Sequence, residues 1–205
     1  RRDLRGREEF VRGAGRRVTA RRTAGLAVQT TQATLSPSTP LVLESVDAVR
    51  PLPFTASRRI SEVIAGLGRT EDLRFSPSNQ RLAIAVFHTG QIAVFDILLP
   101  ESSEITLTGG ALLTSHAFRQ PHGLDFVDDE TLVIANRGGE VVLVSLPLGA
   151  AEVPTIAVEA RPMCPGWEGP FEAPGSVLAL PAPDSPFEIL VVDNDAHAVS
   201  RVSGA

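Results

Sequence analysis

From residue 41 onward, apolar residues occur in short runs separated by Gly, Pro, Asn, Asp and Ser. Runs of five or six rich in Val, Ile, Leu and Phe, bounded by such residues, predict β-strands. Helical spacing is weak throughout. Residues 58–67 (RRISEVIAGL) are the one stretch long enough for a helix, and a strand fits them equally well.

The runs recur. Segment 70–97 reads TEDLRFSP, RLAIAVF, a turn at His88-Thr89-Gly90, then QIAVFDI. Segment 121–146 reads PHGLDFVDD, TLVIAN, a turn at Arg137-Gly138-Gly139, then EVVLVSL. Segment 174–202 reads PGSVLALPAPD, FEILVVD, a turn at Asn194-Asp195-Ala196, then HAVSRV. Leu73, Leu124 and Val177 occupy equivalent points, at offsets of 51 and 53. Residues 104–107 and 153–158 supply a fourth strand for the first two units. Four antiparallel strands repeating every 40–50 residues or so predict an all-β chain of β-propeller blades, about three of them.

Repetition has a physical cause. A four-stranded sheet with two apolar faces cannot bury both alone, so neighbouring blades must cover them. The strands LAIAVF, LVIAN and EILVV are nearly continuously apolar, where a half-exposed sheet would alternate. A β-sandwich of regularly spaced hairpins shares the spacing and is the competing fold. Residues 41–205 suffice for about three blades (near 70–107, 121–158 and 174–202) and part of a preceding one. Closed propellers need ~4–8 blades. A fragment of a longer propeller is therefore expected, completed by missing blades or by self-association.

Composition divides the chain. Residues 1–22 hold nine Arg against three acids, a net of +6, and the remainder carries −11. Residues 1–40 offer little apolar surface to offset the entropy of ordering and read as a flexible Arg-rich tail. The acidic body argues against nucleic acid and anionic lipid as partners. Cys164 is the single cysteine, so no intrachain disulfide forms and no Cys-rich metal site exists; a reducing, cytoplasmic setting is the expected one. No apolar run approaches the ~20 residues of a membrane helix, and the apolar stretch after Arg22 is too short for a signal peptide.

Several segments resemble known propeller repeats. Residues 75–83 (FSPSNQRLA) are similar to the strand–turn–strand of WD40 and YVTN-type blades, and Val94-Phe95-Asp96-Ile97 resembles the Trp-Asp ending with Phe in place of Trp. Residues 121–126 (PHGLDF) resemble the start of the innermost strand in the NHL and SMP-30/gluconolactonase group, and residues 189–197 (ILVVDNDAH) resemble the NHL hairpin. The resemblance implies ligand sites where innermost strands begin, around a central channel. Glu71, Asp72, His122 and Asp125 are the channel-facing candidates here. In gluconolactonase-like enzymes a Glu and Asn or Asp at such points hold a divalent metal. Glu71 fits the Glu role, and the enzyme alternative implies a divalent cation, Ca²⁺ or Zn²⁺, with further ligands from missing blades. His122 stands where Asn is expected, and Gly175 has no side chain.

Other chemistry is sparse. His122 is a candidate general acid/base, or a loop residue bonding backbone beside Gly123. Asn136 and Asp193 end second strands, where their side chains bond backbone groups. Asp193-Asn194-Asp195 lacks the Gly and Glu of a calcium-binding EF-hand loop. Cys164 lies in a Pro/Gly loop, and Trp167 and Phe171 offer a small apolar patch there or pack beneath it. The expected function is a non-catalytic repeat module presenting loops to a protein or small ligand. The alternative is a metal-dependent hydrolase or lactonase of the SMP-30 type.

Overall fold

The computed structural model describes residues 28–31, 53–99, 104–164 and 171–204, and their strands fall into three sheets. In chain order the elements are β1 (Val28–Thr31), β2 (Phe54–Ala56), α1 (Arg58–Gly66), β3 (Thr70–Phe75), β4 (Arg81–Val86), β5 (Gln91–Leu98) and β6 (Ile105–Thr114). Then follow β7 (Pro121–Asp128), β8 (Thr131–Asn136), β9 (Val141–Ser145), β10 (Thr155–Ala157), β11 (Ala160–Pro162), β12 (Pro174–Leu180), β13 (Glu188–Asp193) and β14 (Ala198–Ser203).

The first blade is the antiparallel set β3-β4-β5-β6. The second is β7-β8-β9-β11, and the third is β12-β13-β14-β1. Leu73, Leu124 and Val177 pair within their own sheets with Ile84, Ile134 and Val191. The innermost strands β3, β7 and β12 nevertheless lie side by side. Separate four-stranded sheets radiating from adjacent inner strands are a β-propeller arrangement of three blades; one shared sheet would have made a sandwich layer.

Two apolar layers join the blades. Ala83, Ala85, Ile92 and Val94 of the first blade pack on Leu124, Phe126, Leu132 and Ile134 of the second. Val133, Ala135 and Val141 of the second pack with Val177, Ile189 and Val191 of the third. This explains the continuous apolar runs: in β8, Leu132 and Ile134 serve one layer and Val133 and Ala135 the other. The inner strands approach closely. A Cβ on Gly123 would lie 2.7 Å from the Gly175 carbonyl oxygen and 2.7 Å from the Ser176 Cα.

A third layer covers the far side of the first blade. Within residues 58–67, Arg58–Gly66 form the helix α1, whose Ile60 and Val63, with the capping Leu67, recur at helical spacing and bury against Leu82, Val86, Phe95 and Ile97. Its N-terminus is capped by Ser57, whose Oγ accepts the Ile60 N–H at 3.3 Å. Ser57→Ala is expected to lower stability by about 1 kcal/mol, read as a shift of the urea midpoint; an unchanged midpoint would show that the cap is redundant.

Four expectations change. Residues 53–69, assigned to part of a preceding blade, instead supply β2 on the outer edge of β6 and α1 over the first blade. The fourth strand of the first blade runs on to Thr114 instead of ending at 107. The fourth strand of the second is Ala160–Pro162; Thr155–Ala157, within the expected 153–158, pairs in parallel with β6 of the first blade. Thr155, Ile156 and Ala157 continue the β6 edge beside Leu112–Thr114. Finally, Val28–Thr31, inside the stretch read as a flexible tail, form β1 beside β14. The rest of 1–40 and Trp167 lie outside the described residues.

Candidate functional site

The innermost strands start at one end of the blades, beside the turns that join second strands to third. Glu71 and His122 meet there: His122 Nε2 lies 3.5 Å from Glu71 Oε2. His122 Nδ1 lies 2.7 Å from the Gly175 carbonyl oxygen. A carbonyl accepts only, so Nδ1 carries the hydrogen and Nε2 of the neutral ring is an acceptor. The Arg137 guanidinium donates to that Nε2 at 3.1 Å.

The cluster extends past these three. Arg69 pairs with Glu71 and lies 4.5 Å above the Phe87 ring centroid. Phe87 meets the His122 ring edge-on, with centroids 6.4 Å apart. Arg69, Phe87, His122 and Arg137 thus form a continuous row across the first two blades. Arg69 and Arg137 are exposed, and Phe87 and His122 half-buried. Cation–π and edge-on contacts of this kind fix side chains at an exposed surface. Phe87 and Arg137 hold equivalent places: the Phe87 N–H donates to the Arg69 carbonyl, and the Arg137 N–H to the Gln120 carbonyl.

The two aspartates of the candidate set do different work. Asp72 Oδ2 accepts the Leu124 N–H of the next inner strand at 3.1 Å, and Asp72 also pairs with Arg74. Asp125 Oδ2 accepts the Ala179 N–H of the third blade at 2.8 Å, and Oδ1 accepts the Phe126 N–H. Both therefore tie one inner strand to the next, satisfying donors on edges that no fifth strand covers. For the metal that the enzyme alternative implies, the described residues bring together only Glu71 and His122, and Glu71 is engaged by Arg69. Among the described residues, no three His, Cys, Asp or Glu side chains come together as a metal site.

Asn136 and Asp193 carry the structural role expected of them. Asn136 Oδ1 accepts the Arg119 N–H at 3.1 Å, and its Nδ2 donates to the Glu140 carbonyl. Asp193 accepts from Glu172, Ala173 and Ala196 at 2.7, 3.0 and 3.2 Å. Burial pushes the Asp193 carboxyl up, but the N–H groups of Ala173, Glu172, Ala196 and Asp195 outweigh it and hold the group below the usual carboxylate range. Burial pushes the Cys164 thiol up, away from the reactive thiolate. Phe171 is buried with Met163 and Val141 instead of forming a surface patch.

Among the described residues no helix is long and apolar enough to cross a membrane. No protein-family model matches the chain, and no curated protein matches it. Among solved structures it is similar to the β-propeller domain of Cps50 (Swd1) from Myceliophteria thermophila, at 14% identity and a TM-score of 0.44, over 67% of this chain and 41% of that one. It is similar also to a luciferin-regenerating enzyme, at 14% identity and a TM-score of 0.43, over 66% of this chain and 45% of that one. The chain thus spans less than half the length of either.

Proposed function

We propose that the chain is a propeller module that holds a protein or small ligand on the end where its inner strands begin, without chemical change to it. One observation carries this reading. Arg69, Phe87, His122 and Arg137 present two guanidinium groups, an aromatic ring and an imidazole on one surface, each already oriented by a neighbour. Arg and aromatic groups fixed in this way are the residue types that dominate binding energy at interfaces, and preorganisation lowers the entropy lost on binding. The hydrolase of SMP-30 type requires carboxylates free to hold a metal, whereas Asp72 and Asp125 are engaged by backbone N–H groups of the next blade.

The test compares the native chain with the double variant Phe87→Ala/Arg137→Ala as bait for partners from cell extract. The variant is expected to retain the native thermal midpoint and to lose the captured partner by roughly tenfold or more. In parallel, millimolar Ca²⁺ or Zn²⁺ is expected to leave the midpoint unmoved. Metal-dependent turnover of a lactone, abolished by Glu71→Gln, would replace this reading with the hydrolytic one.

A further inference from the structure

Resting on the binding reading above, we infer that the ligand held at this end is an acidic protein segment whose carboxylate docks on Arg119 and Arg137. Arg58, Arg69, Arg74, Arg81 and Arg201 each pair with a carboxylate of the chain. Among the described residues Arg119 and Arg137 pair with none, although residues 23–205 carry a net charge of −11. Arg59 and Arg161 pair with none either, but they stand singly, on α1 and β11. Arg119 and Arg137 are neighbours. The Arg119 carbonyl accepts the Gly138 N–H at 3.2 Å, and the Gln120 carbonyl accepts the Arg137 N–H at 3.1 Å.

Buried groups hold the two in place. Asn136, 0% exposed, accepts the Arg119 N–H at 3.1 Å. Phe118 is buried one residue earlier, and a Cβ on Gly90 would lie 3.1 Å from its carbonyl oxygen. The loop between β6 and β7 thus reaches from the turn of the first blade to that of the second. The Arg119 stem lies along Gly138, where a Cβ would come within 2.8 Å of the Arg119 Cβ and 3.4 Å of its Cδ. Arg137 is fixed at its tip, by the hydrogen bond to His122 Nε2. Both arginines are exposed, and a guanidinium offers a carboxylate two parallel N–H donors. Holding them beforehand lowers the cost of binding.

The surroundings choose among anions. Glu71 lies 3.5 Å from His122 Nε2, and Glu140 shares the turn of Arg137, so the end's own acids oppose a second negative charge. The acidic body repels extended polyanions over the ~8 Å reach of charges at physiological salt. A single carboxylate is instead held by direct hydrogen bonds, and the side chain of Asp or Glu fits better than a phosphate dianion. A peptide fits better than a free acid because the row runs on from Arg137 through His122 to Phe87 and Arg69, longer than one carboxylate.

The arginine Nε–Hε signals of the isotope-labelled native chain, followed by NMR, test this. The probes are three peptides up to millimolar concentration, Gly-Ser-X-Ser-Gly with Glu, Gln or phosphoserine at X. The Glu peptide is expected to shift Arg119 and Arg137 saturably and to bind about tenfold or more tightly than the Gln peptide. Arg201, held at both ends by Glu188, should stay still. Arg119→Gln, which keeps the stem over Gly138, should weaken the Glu peptide about tenfold with circular dichroism unchanged. A captured partner released by Phe87→Ala/Arg137→Ala but retained by Arg119→Gln would sink the acidic ligand and leave the binding surface standing. Signals that do not move, equal binding of the three peptides, tighter binding of the phosphoserine peptide, or a response that emerges only after Glu168→Gln removes a carboxylate of the chain itself would each overturn the proposal.

Discussion

Replacing Asp193 with Ala is expected to destabilise the chain by about 3 to 5 kcal/mol. The residue is 2% exposed, and its carboxylate takes the N–H groups of Glu172 and Ala173 from the segment just before β12 and of Ala196 from the next turn. Alanine leaves all three donors without their acceptor, and each such buried loss costs about 1–3 kcal/mol, less where water reaches it as it does at exposed Glu172. Asp193→Asn should cost roughly half as much, because Asn136 performs the same task in the second blade with one carbonyl oxygen. Urea titration of both variants decides the matter; a loss under about 1 kcal/mol for the alanine would show that the loop finds other acceptors. The sign of the pH dependence follows from the depressed carboxyl. Its stabilisation is complete above the ordinary carboxylate range and is lost as pH falls through the lower folded value. The Asn variant should therefore lose less stability on acidification than the native chain.

Phe95→Ala is expected to cost about 3–5 kcal/mol, the range for deleting a fully buried aromatic ring. Phe95 is 0% exposed and packs under α1 with Ile60, Val63 and Leu67. It also lies over Gly110, where a Cβ would sit 2.9 Å from the Phe95 Cδ1. The ring thus fills the joint between helix, third strand and fourth strand. Leu148→Ala, at 84% exposure, is the control and should change stability by less than about 0.5 kcal/mol. Comparable midpoints for the two variants would mean that α1 does not bear on the first blade.

The blades were legible because their signal is repeated. Leu73, Leu124 and Val177 recur at nearly constant offset, and each stands on an innermost strand. Strand endings were less legible where chemistry pointed the other way. Thr108-Gly109-Gly110 reads as a turn, yet β6 runs through it, and Gly110 is required because the backbone passes so close to Val94 and Phe95. Thr155–Ala157 has better strand composition than Ala160–Pro162, which contains proline. Three-residue strands are assigned by the edge they find, and that edge is a tertiary fact.

The site shows the same division. The positions of Glu71 and His122 at strand starts follow from the repeat, but their meeting across 51 residues does not. Asp72 and Asp125 are near the channel in sequence terms, and only the spacing of adjacent inner strands shows that their oxygens reach backbone N–H groups instead. Arg69 and Phe87 escaped notice because neither belongs to a catalytic pattern. The available signal was positional: Phe87 stands where Arg137 stands one blade later, directly after the second strand.

The outer edge of β6 is shared by three separate pieces of chain. Phe54–Ala56 lie along Ile105–Leu107, Ala150 bridges Gly110, and Thr155–Ala157 lie along Leu112–Thr114. The last two pieces follow β7, β8 and β9 in the chain, so the first blade receives its rim only after most of the second has been synthesised. Order of synthesis and order of completion are therefore crossed. During translation the stretch of the β6 edge from Gly110 to Thr114 waits for partners that are made only after β9, the state in which strands recruit foreign partners.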